Sequence, residues 1–134
     1  MTALVVLDTS ALLALRDNET GADRVAELLA ASALSPLPTA LGCFMSRMEV
    51  LYRVWKDEGE RAGRLAHEQL LALPIRWVEA SDALLLQAAT LKACHPLSVA
   101  YAWIAAAAAL EGARLVHKDP EFRALAALPQ EWLG

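Results

Sequence analysis

Three carboxylates carry the first chemical signal of the sequence. Asp8 ends the apolar run Ala3-Leu4-Val5-Val6-Leu7, and Asp119 follows Leu115-Val116-His117-Lys118, so both stand past segments that read as strands. In open α/β sheets, ligands sit in the crevice beyond the carboxyl ends of the strands, where acids distant in sequence can meet. The third acid, Glu49, lies inside an apolar helical stretch, between Met48 and Val50-Leu51, residues expected to pack. A carboxylate there needs a partner or a metal, because burying it alone is costly. An all-oxygen cluster suits a hard divalent cation such as Mg²⁺ or Mn²⁺. Such a cation polarises a phosphoryl oxygen, lowers the pKa of bound water and steadies a leaving oxygen, which is nuclease chemistry. The bland assignment stays open for each acid: Asp8 as a helix cap, Asp119 opening a turn before Pro120, Glu49 as a solvated helix residue.

Other chemistries find no support. His67, His95 and His117 share no zinc-ligand spacing and are expected at surface or turn positions. Cys43 and Cys94 are expected as reduced core thiols. The glycines are scattered, so no phosphate-cradling loop is present, and Ser10 lacks the glycine-flanked elbow of a serine hydrolase. Thr9 and Ser10 instead read as supporting groups that orient a metal shell or bond the start of a helix. A net charge of −4 and a pI near 5.3 argue against a general nucleic-acid coat protein, so a nucleic-acid substrate has to be held locally. Arg47 and Lys118 are the candidates for phosphate contact, while most of Arg53, Lys56, Arg61 and Arg64 read as a solvated helix face. The four tryptophans are expected in the core or an interface.

The elements that must position these residues follow from the apolar pattern. At 134 residues, 57% of them hydrophobic, the chain is expected to form one domain, residues 1–134, around one core. The first strand turns at Asp8-Thr9-Ser10 into a helix. Thr20 to Leu34 is helical up to Ser35-Pro36. Leu37 to Ala40 reads as a short strand leading through Gly42 into a helix over roughly Phe44 to Lys56, with Met48, Leu51, Tyr52 and Trp55 on one side. A helix over Arg61 to Leu73 precedes the alternating strand Ile75 to Val78, and Ser81-Asp82 caps a helix over Ala83 to Ala93. Ser98 can cap an Ala-rich helix that ends at Glu111-Gly112, and the tail from Glu121 holds one short helix. Strands alternating with helices indicate an α/β domain on a mainly parallel central sheet flanked by helices. The longest apolar run, Val99 to Leu110, is shorter than the roughly 18 residues a membrane span requires, so a soluble, cytoplasmic protein with no membrane partner is expected.

The acids also sit in recognisable surroundings. Leu7-Asp8-Thr9-Ser10-Ala11-Leu12-Leu13-Ala14-Leu15 resembles the opening motif of PIN domains of the VapC type, toxins of bacterial toxin–antitoxin pairs. Met48-Glu49-Val50-Leu51-Tyr52 resembles the second acidic motif and His117-Lys118-Asp119-Pro120-Glu121-Phe122 the last. Pro96 to Ala106 resembles the third, except that Tyr101 stands where the pattern has an aspartate. The resemblance implies a PIN-like fold, an endoribonuclease that gathers acids around Mg²⁺ or Mn²⁺, an RNA substrate, an antitoxin protein partner and a homodimer. It makes Asp8, Glu49 and Asp119 the metal-holding and catalytic acids. Tyr101 leaves that site one acid short: a phenol ionises near pH 10 and is a poor substitute ligand. Ser98, three residues earlier, offers a hydroxyl from the same helix face. The expectation is a weakened ribonuclease; the alternative is a catalytically inactive PIN-like module that holds an antitoxin or RNA.

Overall fold

The computed structural model describes residues 3–134. In chain order the elements are β1 (Val5–Leu7), α1 (Thr9–Arg16), α2 (Ala22–Leu34), β2 (Ala40–Cys43), α3 (Phe44–Glu58), α4 (Glu60–Leu71), β3 (Ile75–Val78), α5 (Asp82–Cys94), α6 (Val99–Glu111), β4 (Arg114–His117), a 3₁₀ turn (Pro120–Ala124) and β5 (Gln130–Trp132). The strands form one sheet in the order β3-β2-β1-β4-β5, and every neighbouring pair is parallel. From β1 the chain winds outward through β2 and β3, then returns to add β4 and β5 on the other side of β1. The order therefore reverses between β1 and β4, where an open parallel sheet leaves a crevice at its carboxyl edge. Asp8 and Asp119 follow those two strands.

Alternation along the strands divides the core in two. Val6, Leu41 and Leu115 face α5 and α6, where they meet Leu84, Leu97 and Ile104. Val5, Leu7, Ala40 and Val116 face the layer of α1 to α4 and pack with Leu12, Val25, Leu29, Val50 and Leu70. Both faces are covered, which is why β1 can be wholly apolar. Fully burying a side chain such as Leu84 or Ile104 contributes about 1.5–3 kcal/mol. Ala105 to Ala108 are all buried, and their small side chains let α6 approach the sheet closely. Ser98 caps that helix by accepting from the Tyr101 amide, and Gly112 ends it in the left-handed region at φ 62°.

Several expectations change. The second strand begins where the expected one ends and contains Gly42, which serves close packing rather than a turn: a Cβ there would collide with the indole of Trp77 on β3. Gly42→Ala is expected to cost about 1–3 kcal/mol by overpacking, measured as a lowered urea midpoint. On α3 the buried residues are Ser46, Glu49, Val50 and Val54, whereas Met48, Tyr52 and Trp55 face solvent at 51%, 45% and 42% exposure. The inward face is thus mixed, with Ser46 and Glu49 beside Val50 and Val54. The tail adds a strand, β5, that its sequence did not announce; its residues are half-buried or exposed, so it lacks the apolar signature of the inner strands. Cys43 is buried as expected, and burial pushes its thiol up to about 12, but Cys94 is exposed. Among the described residues no helix is long and apolar enough to cross a membrane.

Candidate active site at the carboxyl edge of the sheet

Asp8 is held at the end of β1 by its own amide, which donates to Val116 O at 3.0 Å, and it becomes the N-cap of α1. Its Oδ2 accepts from the Ser10 amide at 3.0 Å and from the Ser10 hydroxyl, while that hydroxyl accepts from the Lys118 amide at 2.9 Å. Ser10 thus ties the end of β1 to the loop after β4. Capping uses only one carboxylate oxygen. Oδ1 of Asp8 is buried with no hydrogen-bond partner, in a residue only 1% exposed. Burial above all, with a smaller push from the charge of Glu49, raises the Asp8 carboxyl to about 6, against the help of the Ser10 hydrogen bonds.

Glu49 is 4% exposed and reaches the same region from α3. Oε1 accepts from the Thr9 hydroxyl at 2.7 Å, and Thr9 Oγ1 lies 2.9 Å from Ser46 Oγ. A hydroxyl has one proton, so with Thr9 donating to the carboxylate, Ser46 donates to Thr9. Oε2 faces Arg53, one helical turn onward, at 3.4 Å. Asp119 caps the 3₁₀ turn through Oδ1, which accepts from the Glu121 amide at 3.0 Å. Its Oδ2 accepts a hydrogen bond from the phenol of Tyr101. Burial and the negative charge of Asp119 hold that phenol above its ordinary range, so it is protonated and donates.

Behind Asp119 lies a buried histidine. His117 is 2% exposed, against the expectation of a surface position, and its Nδ1 accepts from the Asp119 amide at 3.1 Å. Nε2 therefore carries the proton and donates to Gln130 Oε1 at 2.8 Å, while Gln130 Nε2 donates to Phe122 O and Leu125 O, each at 2.9 Å. Burial lowers the pKa of His117, in keeping with a neutral ring. Gln130→Ala should leave Nε2–H and two carbonyls short of partners, cost about 2–3 kcal/mol, and loosen the loop that carries Asp119; amide hydrogen exchange at Asp119 to Leu125 reads this directly.

Glu49 is joined to Thr9, the residue after Asp8, and Asp8 is joined to the Asp119 loop through Ser10. As the side chains lie, however, no group of three or more His, Cys, Asp or Glu among the described residues could hold a metal ion. The donor chemistry still suits a hard cation, because the acids offer only oxygen and Asp8 Oδ1 is buried and unclaimed. The second oxygen of Asp119 is taken by the Tyr101 phenol.

Other expected contributors lie elsewhere. The hydroxyl of Ser98 is spent on the cap of α6 rather than presented beside Tyr101, because Ser98 precedes the helix instead of forming part of its face. Arg47 pairs with Glu79 and stacks over Trp77 at 5.2 Å. Lys118 remains half-buried beside the site. Reading the sequence missed Ser46, Arg53 and Gln130. The first two stand three residues before and four after Glu49, a helical spacing that could have shown them, whereas Gln130 gave no such signal.

A chain from VapBC2 of Rickettsia felis, in a structure bound to a DNA fragment from the promoter, has a similar fold at TM-score 0.77 and 16% identity, covering 98% of this chain and 99% of that one. VapC20 of Mycobacterium tuberculosis, described as a sarcin-ricin loop cleaving toxin, is similar at TM-score 0.71 and 19% identity, covering 92% and 95%. VapBC-1 of nontypeable Haemophilus influenzae is similar at TM-score 0.70 and 19% identity, covering 97% and 98%. No curated protein sequence matches. The PIN domain family model matches residues 5–128, a span that contains Asp8, Glu49, Tyr101 and Asp119, and the chain belongs to the PIN domain family.

Proposed function

We propose that the chain is a divalent-metal-dependent endoribonuclease of the VapC toxin kind, held below full activity by Tyr101. The observation that carries this reading is Asp8 Oδ1, an unpartnered and buried carboxylate oxygen at the point where the strand order reverses. A structural cap needs one oxygen and has no use for a second one withdrawn from water. Asp8, Glu49 and Asp119 would hold Mg²⁺ or Mn²⁺. Once bound, the cation supplies a polarised phosphoryl oxygen and a more acidic water. The chain's own contribution is orientation: Ser10 fixes Asp8, the Thr9–Ser46 pair fixes Glu49, and the His117–Gln130 pair fixes the backbone of Asp119. Lys118, half-buried beside the site, would meet an RNA phosphate.

The test is incubation of an end-labelled RNA pool with purified protein. Discrete fragments that need Mn²⁺ and vanish with chelator or with Asp8→Asn are expected. RNA left intact by both the unaltered chain and Tyr101→Asp would favour the second reading, an inactive module that holds RNA or an antitoxin, for which the Tyr101–Asp119 hydrogen bond is the supporting observation.

Partners belong to the same proposal. An antitoxin segment would occupy a groove lined by Leu12, Leu15, Val50, Leu70 and Leu73 with Arg16 and Gln69 among them, and the similar structures named above include VapBC pairs. A homodimer is supported by the exposed Leu85, Leu86 and Val99 on α5 and α6. Light scattering at tens of micromolar should give twice the mass of 14.5 kDa; a monomer would contradict the dimer.

A further inference from the structure

The metal-free site supplies its own counter-charges. Two of the three acids have both oxygens engaged, and in each case one partner is a side chain that the family resemblance did not assign as a ligand. Arg53 faces Glu49 Oε2 at 3.4 Å, and the Tyr101 phenol donates to Asp119 Oδ2. Arg53 is half-buried, and its charge also acts on Tyr101. A guanidinium and a phenol O–H thus each engage one carboxylate oxygen that would otherwise be free for a cation. Only Asp8 Oδ1 is left open, deeply buried and without a partner. We infer that Arg53 and Tyr101 form an internal clamp that competes with a divalent cation for Glu49 and Asp119, so that cation binding begins at Asp8 and completes only when the clamp opens.

This rests on the metal-dependent reading above and adds two positioning residues to it. The competition is electrostatic at Glu49, where a fixed positive charge both occupies an oxygen and repels the incoming cation, and it is one of hydrogen bonding at Asp119. Removing either partner frees one hard ligand without adding a carboxylate. Tyr101→Phe keeps the ring against Phe122, whose centroid lies 4.9 Å away, and Arg53→Gln keeps a polar side chain on the half-exposed face of α3. Both variants should fold.

The test uses the metal alone. Mn²⁺ binding by calorimetry should tighten about tenfold in Tyr101→Phe and by a similar factor in Arg53→Gln, with a larger gain in the double variant. The protein has two tyrosines, so labelling the ring carbon that bears the hydroxyl gives two NMR resonances, assigned with Tyr52→Phe. Titration with diamagnetic Mg²⁺ should move the Tyr101 resonance more than that of Tyr52 as the phenol leaves Asp119. Cation binding that is equally tight in all forms, with Tyr101 unmoved, would overturn the clamp while leaving the metal-dependent reading standing. Absence of cation binding in every form, Tyr101→Asp included, would overturn both.

Discussion

Replacing Tyr101 with aspartate is expected to tighten Mn²⁺ binding and to raise RNA cleavage about a hundredfold, the effect of roughly 3 kcal/mol of added transition-state stabilisation. Two changes act together. The substitution removes the phenol that holds Asp119 Oδ2, and it supplies a second carboxylate in the same place. Tyr101→Phe achieves only the first, so the order of Mn²⁺ affinity should be tyrosine, then phenylalanine, then aspartate. Stability should move the other way in chelator: aspartate forfeits the contact with Phe122 and adds negative charge beside Asp119 and Asp8. Added Mn²⁺ should recover that loss, because a ligand that binds only the folded state stabilises it by mass action, about 2.7 kcal/mol at a hundred times Kd. Calorimetric titration, with thermal unfolding in the presence and absence of Mn²⁺, measures both.

Asp8 gives the second large effect, and it concerns stability before activity. Its carboxyl is ordinary in the unfolded chain, at 3.8, and raised to about 6 in the fold by burial. In that interval the folded state binds the proton and the unfolded state releases it, so stability falls as pH rises. The favourable contribution is complete below about pH 4 and is lost through about pH 6, a change of about 3 kcal/mol for a shift of this size. In metal-free protein, the stability difference between the unaltered chain and Asp8→Asn should therefore move by about 3 kcal/mol in favour of the variant from pH 4 to pH 7. Urea unfolding in chelator at several pH values measures it; a constant difference would mean that Asp8 is solvated. The asparagine form should also lose all cleavage.

Much of this was legible in the residues. Asp8, Glu49 and Asp119 could be singled out because two strands end in acids and one helix carries an acid among apolar neighbours. The parallel sheet followed from β1, whose unbroken apolar run requires cover on both faces. Other features depend on tertiary context. Glu49 lies on the buried face of α3, beside Val50 and Val54, because Thr9 and Arg53 satisfy it, which leaves Met48, Tyr52 and Trp55 outside; the large apolar residues alone orient the helix the other way. β5 escaped notice because a half-exposed edge strand has no apolar period, and its place is set by Gln130 reaching back to His117. The partners of Ser98 and Arg47, a helix cap and an ion pair with Glu79, also appear only in the fold. That Tyr101 departs from the family pattern is visible in the sequence, but only the folded site shows what the phenol does: it bonds to one of the acids that remain.

The proposed function requires an acidic metal site limited by Tyr101. The most direct measurement is the single-turnover cleavage rate of a labelled RNA pool across an Mn²⁺ titration, for the unaltered chain and Tyr101→Asp side by side. The predicted result is slow, Mn²⁺-dependent cutting by the tyrosine form and cutting about a hundredfold faster, at lower Mn²⁺, by the aspartate form. Equal rates for the two forms would mean that three acids suffice, and would contradict the role given to Tyr101.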